Sequence, residues 1–195
     1  MPIDETKSCP LCGRSTGIPL ECGVCTSQKR YFSAGHFGFF FSDRLRDALL
    51  AFKFRQRKDV GRFLMGLLRE KVERLSERFD LIVPLPVTES RLRERGFNQT
   101  YVLSEEIARM THKPIDCQSL VKTRETKDQY TLGREARMRN LIGVFAVRDP
   151  EVIEDCRILL VDDLFTTGAT VSEASKVLVR AKAARVEVFA LARTP

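Results

Sequence analysis

Two adjacent carboxylates, Asp162 and Asp163, follow an apolar run at 158–161, and behind them come Thr166, Thr167, Gly168, Ala169 and Thr170. An apolar run bounded in this way reads as a buried parallel strand, and open parallel sheets bind ligands beyond the carboxyl ends of their strands. Side chains alternate along a strand, so the two acids are expected on different sides. One can hold vicinal hydroxyls, the other a metal-coordinating or neighbouring group. Thr170 with Glu173 fits a capping box, which predicts a helix starting at Thr170. The first amides of a helix and the positive end of its dipole bind anions. Gly168 lets backbone approach closely, and the threonines add hydroxyl donors. The stretch therefore reads as a site for a sugar bearing a phosphate. A nucleotide-binding P-loop would need GxxxxGK[ST], and no glycine here precedes a lysine; a dinucleotide fold would need GxGxxG, which is absent. A purely structural strand end is the remaining alternative.

A second cluster lies at the other end of the chain. Cys9, Cys12, Cys22 and Cys25 read as CxxC, nine residues, CxxC. Each pair makes a knuckle that aims two sulfurs at one point, and two knuckles form the closed thiolate cage of a structural zinc. With four protein ligands no catalytic position stays open. Gly13 and Gly23, each directly after a cysteine, are expected to turn at positive φ. About 30 residues cannot bury enough apolar area to fold without such a staple. The remaining cysteines, Cys117 and Cys156, carry no assigned role.

The chain has 195 residues, 43% of them hydrophobic, enough for one core and a small appendage. Its formal net charge of +7 favours phosphate-bearing partners without choosing among them. The opening residues "MPIDETKSCPLC" show no basic segment followed by an apolar stretch, and no apolar run nears the ~20 residues of a membrane helix. The expectation is a cytoplasmic chain without membrane insertion, in which cysteines stay reduced and pairs of them mean metal.

The elements that must position these residues follow from periodicity. A strand is expected at 37–41, then a helix from about 43 with Leu45, Leu49 and Phe52 on its apolar face, capped by Ser42 or Asp43. A second helix is expected over 61–77, with Phe63, Leu64, Leu67, Leu68, Val72 and Leu75 inward. Further strands are expected at 79–86, 142–147, 157–163 and 185–192, and helices at 98–110 and 170–181. The segment "RLRERGFNQ" reads as a basic loop. Strands alternating with helices imply a parallel α/β sheet.

"LLVDDLFTTGAT" resembles the phosphoribosyl pyrophosphate (PRPP) signature of type I phosphoribosyltransferases, with Leu164 where Val or Ile is usual. The cysteine knuckles, "LLAFKFRQRKDVGRFL", "VPLPVTESRLRERGFNQ" and the pattern Arg124, Gln129, Leu132, Arg137, Asn140, Phe145 resemble the ComF family of competence-associated proteins. The resemblance implies a type I phosphoribosyltransferase-like parallel sheet flanked by helices (31–195) behind a small zinc-binding unit (1–30). It implies that Asp162 and Asp163 bind the ribose hydroxyls and that residues 166–170 hold the 5'-phosphate. It places the pyrophosphate, with Mg²⁺, against the loop holding Arg91, Arg93 and Arg95, whose guanidinium forks suit phosphate oxygens. A hood at 122–140 would add Arg124 and Lys127. The family's role in natural transformation implies PRPP, single-stranded DNA and other competence proteins as partners. Phosphoribose transfer to an unnamed acceptor is one expectation. PRPP sensing without turnover is another, and DNA handling through aromatics such as Phe37, Phe39 and Phe54 a third. His36 and His112 lie outside the candidate loops and are not expected to act as a base.

Overall fold

The computed structural model describes residues 2–124 and 142–194. Four strands form one parallel sheet in the order β1 (Ala34–Phe40), β6 (Arg185–Arg193), β5 (Arg157–Phe165), β2 (Leu81–Pro84). The expected α/β sheet with flanking helices is present. Two chain reversals set its polarity. After β2 the chain passes through α5 (Glu89–Arg95) and α6 (Gln99–Thr111) and returns outside β2, where Ile115 bridges Ile82 in parallel. After β5 it passes through α8 (Ala169–Arg180) and returns on the other side as β6. One crossover runs each way, so the gap between the carboxyl ends of β2 and β5 is the topological switch point, where open α/β sheets bind ligands.

Opposite crossovers put their helices on opposite faces. Val102, Leu103 and Ile107 of α6 share a buried cluster with Leu159 and Val161 of β5. Val171, Ala174 and Leu178 of α8 share the other with Ile158 and Leu160. The first face is also covered by α2 (Asp43–Phe54), α3 (Lys58–Gly66) and α4 (Arg69–Glu73). Ser42 caps α2, accepting the Leu45 N–H at 3.4 Å, and Leu45, Leu49 and Phe52 are buried as expected. The single helix expected over 61–77 is instead α3 and α4, broken at 67–68. The break turns Leu68, Val72 and Leu75 inward but leaves Phe63 and Leu67 exposed. The segment read as a basic loop is largely helix α5, closed by Gly96 in the left-handed region at φ 74°. The strand expected at 142–147 is β4 (Phe145–Val147); it pairs antiparallel with β3 (Leu120–Lys122), outside the main sheet. Short α1 (Gly23–Thr26) and α7 (Pro150–Ile153) are the remaining α-helices among the described residues. Among the described residues no helix is long and apolar enough to cross a membrane.

β1 would be a bare edge, and the amino-terminal segment covers it. Ile3 N–H donates to Gly38 C=O at 2.8 Å, Gly35 N–H to Pro10 C=O at 2.7 Å, and Lys71 Nζ to Phe37 C=O at 2.7 Å. An edge with its main-chain groups satisfied cannot recruit another strand.

At the amino end of the sheet, Glu187 lies buried among apolar neighbours of β6 and takes three cations. His36 Nε2 is 2.8 Å away, Arg78 meets both carboxylate oxygens at 2.8–2.9 Å, and Arg185 lies at 3.3 Å. Glu5 joins from the amino-terminal segment, pairing with His36 Nδ1 at 3.3 Å and Lys71 at 2.9 Å. Burial opposes ionisation of both acids, but hydrogen bonds from His36, with Arg78 at Glu187 and Lys71 at Glu5, outweigh it and hold both carboxyls down to about 2. Burial lowers His36, and its two acids overcome this and raise it. The stabilisation from the acids is complete above their ordinary 4.5 and fades as pH falls towards about 2. That from His36 is complete below its ordinary 6.5 and fades as pH rises through its raised value. Urea unfolding followed against pH checks this: Glu187→Gln should cost about 2–3 kcal/mol at neutral pH by taking the ionised partner from buried His36 and the half-exposed Arg78, and should flatten the acid limb.

Candidate functional site

The acid pair lies at the carboxyl end of β5, where Asp162 is level with Ala190 of β6. The next strand over ends at Pro84, and Leu85 N–H still donates to Val161 C=O at 2.9 Å. Asp163 is buried and turned towards α2, where Lys53 Nζ reaches its two oxygens at 2.8 and 2.9 Å. Asp162 accepts the Asp163 N–H at 2.8 Å. Burial, then the neighbouring Asp163 charge, pushes the Asp162 carboxyl up to about 7 against the pull of Lys53. The site thus contains one ion-paired acid and one that holds its proton more tightly than an ordinary aspartate.

The turn behind the acids is built on Gly168. Its φ of 75° is left-handed, and a Cβ there would strike the Phe165 ring and come within 2.8 Å of Arg30 Nη1. Gly168 caps α8, its carbonyl accepting the Ser172 N–H at 2.9 Å, while Thr167 Oγ1 accepts the Ala169 N–H at 3.3 Å. The helix therefore begins at Ala169, and Thr170 lies in its first turn rather than at its cap. The expected capping box is not formed: Glu173 instead accepts the Gly143 N–H at 3.1 Å and pairs with Lys176 at 3.4 Å. The left-handed glycine completes the turn earlier than a threonine cap would. Thr166 is exposed, and Thr167, Ala169 and Thr170 are half-buried around the helix start.

The three arginines after β2 are split by helix α5. Arg91 is half-buried and Arg93 exposed, pairing with Glu89 at 3.4 Å. Arg95 is buried, donating to Gln99 Oε1 at 3.0 Å and stacking its guanidinium 5.2 Å from the Phe54 ring centre. Thr100 Oγ1 and Asn98 Nδ2 hold the Leu85 carbonyl at 2.7 and 3.3 Å, which fixes the loop to the amino end of α6. Arg124 is exposed and donates to Ile142 C=O at 2.6 Å. Lys127 lies outside the described residues, as do Gln129, Leu132, Arg137 and Asn140. The residue that sequence reasoning missed is Lys53. It continues the Leu45–Leu49 stripe by one more turn of four, a charged group in an inward register, and that was the signal available. Of the aromatics expected to meet DNA, Phe37 and Phe39 are core residues, and Phe54 is 51% exposed.

Cys9, Cys12, Cys22 and Cys25 converge as their spacing requires. All four are buried, and their sulfurs lie within 4.8 Å of one another, with Cys12 and Cys22 at 3.5 Å. Four sulfurs about 2.3 Å from a tetrahedral zinc would stand roughly 3.8 Å apart, so the set fits that ion. Burial pushes the Cys12 and Cys25 thiols up. Gly13 turns at φ 67°, whereas Gly23 starts α1 without positive φ. The cysteines belong to the same buried cluster as Phe37, Phe165 and Val171. Arg193 Nε of β6 donates to Cys12 C=O at 2.5 Å, and Arg30 Nη1, five residues after Cys25, donates to Thr167 C=O at 2.8 Å in the turn before α8.

No family model matches the chain. It is 31% identical over 192 residues to the DNA utilization protein YhgH of Escherichia coli K12, a span of 95% of this chain and 84% of that protein. It is 28% identical over 194 residues to the competence protein ComFC of Bacillus subtilis, spanning 95% and 78%. Among solved structures it is similar, at 17% identity and a TM-score of 0.45, to the glutamine PRPP amidotransferase of B. subtilis, over 72% of this chain and 30% of that longer one.

Metal analysis should find close to one zinc per chain. Its removal by a chelator should lower Tm by roughly 10 °C, the scale of about 4 kcal/mol of linked binding in a chain of this length. Gly168→Ala should destabilise by about 1–3 kcal/mol in denaturant unfolding, because the Phe165 ring and the left-handed backbone both oppose a Cβ.

Proposed function

This chain belongs to the ComF family, that of YhgH and ComFC, and we propose that it binds PRPP at the carboxyl edge between β2 and β5. One observation carries the reading: Asp162, Asp163 and the Gly168 turn emerge together at the switch point of the sheet. The acids accept the ribose hydroxyls. The first amides of α8, with Thr166, Thr167 and Thr170, hold the 5'-phosphate, for which a helix start offers both donors and favourable dipole. Arg91 and Arg93 of α5, Arg124 and Lys127 supply the positive charge for the pyrophosphate. Arg95 supports them from behind through Gln99. Mg²⁺ carried in with PRPP would add further positive charge beside these cations. In the transferase form of this reading, an acceptor attacks the anomeric carbon as pyrophosphate leaves. The chain's own part is orientation and charge stabilisation of an oxocarbenium-like state.

A second reading places single-stranded DNA on the same protein, with PRPP as a signal rather than a substrate. Phe54 favours it: an exposed ring under the Arg95 guanidinium, on a helix that also exposes Arg44 and Arg46, is a surface on which a base can stack. The names of its relatives, a DNA utilization protein and a competence protein, agree with a role in DNA uptake alongside other competence proteins.

Calorimetric titration with Mg²⁺ and PRPP tests the first reading. The Asp162→Asn, Asp163→Asn double variant should lose at least roughly tenfold in affinity, the worth of a hydrogen bond to a charged group, while retaining its zinc. Unchanged affinity would refute the ribose assignment. Pyrophosphate release in the presence of an acceptor separates transferase from sensor, and single-strand binding that weakens steeply with salt supports the DNA reading.

A further inference from the structure

We propose that Lys53 is the positioning residue of the acid pair, orienting the Asp163 carboxylate so that it accepts one of the ligand's vicinal hydroxyls beside Asp162. The inference rests on the sugar-phosphate reading above and deepens it, since it names what makes the pair a reader of hydroxyls. Lys53 Nζ lies 2.9 Å from Asp163 Oδ1 and 2.8 Å from Oδ2. A carboxylate has about four acceptor positions, two on each oxygen. An ammonium bound between both oxygens takes the inner position on each and leaves the outer ones, which diverge, so Asp163 offers an acceptor to one hydroxyl of a vicinal diol and Asp162 beside it is left for the other. It also removes one unit of negative charge from two neighbouring acids, so the pair does not repel a ligand that brings phosphates of its own.

The lysine is held in place for this. It sits in the last turn of α2, where a cation is favoured by the helix dipole. Its stem follows the Leu45–Leu49 stripe into the α2–β5 contact, and the side chains of Lys53 and Asp163 are only 18% and 12% exposed. Its carbonyl is contacted by Gln99 Nε2 at 3.5 Å, and Gln99 is itself buried and bound to Arg95. The chain Arg95–Gln99–Lys53–Asp163 therefore runs from the helix after β2 to the end of β5, across both sides of the switch point. A structural staple between α2 and β5 would account for the ion pair alone. It would not make the discrimination of hydroxyls depend on the lysine.

Calorimetry with two probes separates these roles: ribose 5-phosphate, and tetrahydrofurfuryl phosphate, which has the same ring and phosphate without ring hydroxyls. The wild-type chain is expected to prefer ribose 5-phosphate by roughly tenfold. In Lys53→Met the preference should fall to near unity, over and above any loss of affinity that both phosphates share once the neutralising charge is gone, and Lys53→Arg should restore part of the preference. If Lys53→Met does not fold, by circular dichroism, Lys53→Gln takes its place in the same comparison. A preference kept in the variant overturns the role of Lys53 and leaves the sugar-phosphate reading standing. Absence of binding or of preference in the wild-type chain overturns that reading, and the inference with it.

Discussion

Residues 158–161 of β5 run between β2 and β6 with helices over both faces, so the strand can carry no polar side chain until it reaches its carboxyl end. An ionised group further back would lose its water with nothing to replace it. Asp162 and Asp163 stand where that prohibition lifts. The opposite directions of the two crossovers open the gap beside them, and the turn to α8 brings main-chain amides to the same edge. Each part of the candidate site is thus a consequence of how one central strand is enclosed.

The segment carrying the four cysteines does more than bring four thiols together. By bonding to β1 through Ile3 and Pro10 it closes the one open edge on that side of the sheet. Its cysteines pack into the core of the α8 face, and Arg30 and Arg193 bond across to the turn and back from β6. Phe165 lies edge-on to both Phe32 and Phe37, at ring-centre distances of 6.4 and 4.8 Å, and it is the same ring that confines Gly168. The cysteine cluster, the edge cover and the Gly168 turn therefore share one packed surface.

Buried charge is managed in the same way at both ends of the sheet. Glu187 at the amino end collects His36, Arg78 and Arg185; Asp163 at the carboxyl end collects Lys53. The first cluster is closed on itself and joins the amino-terminal segment to β6. The second is open, with half-buried Asp162 beside it. A closed cluster stabilises a fold, whereas an acid left beside an ion pair retains acceptor capacity for something else.

Alternating apolar and turn residues made the four strands of the main sheet, the capped α2 and the helices at 99–111 and 169–180 legible in the sequence, because burial imposes its period directly on residue type, whereas β3 was not legible. The cysteine spacing predicted a cage because two CxxC pairs can bring four thiolates to one point, as a closed tetrahedral site requires, and the acid pair with its glycine turn marked a strand end. Only the tertiary structure decided the rest. It broke the expected helix at 67–68, turned the basic loop into α5, moved β4 out of the main sheet and buried Phe37 and Phe39. It also joined Lys53 to Asp163, 110 residues away in the chain. Local periodicity reports whether a residue faces inward. Which distant group it meets there depends on how the layers are stacked, and no short stretch of sequence contains that.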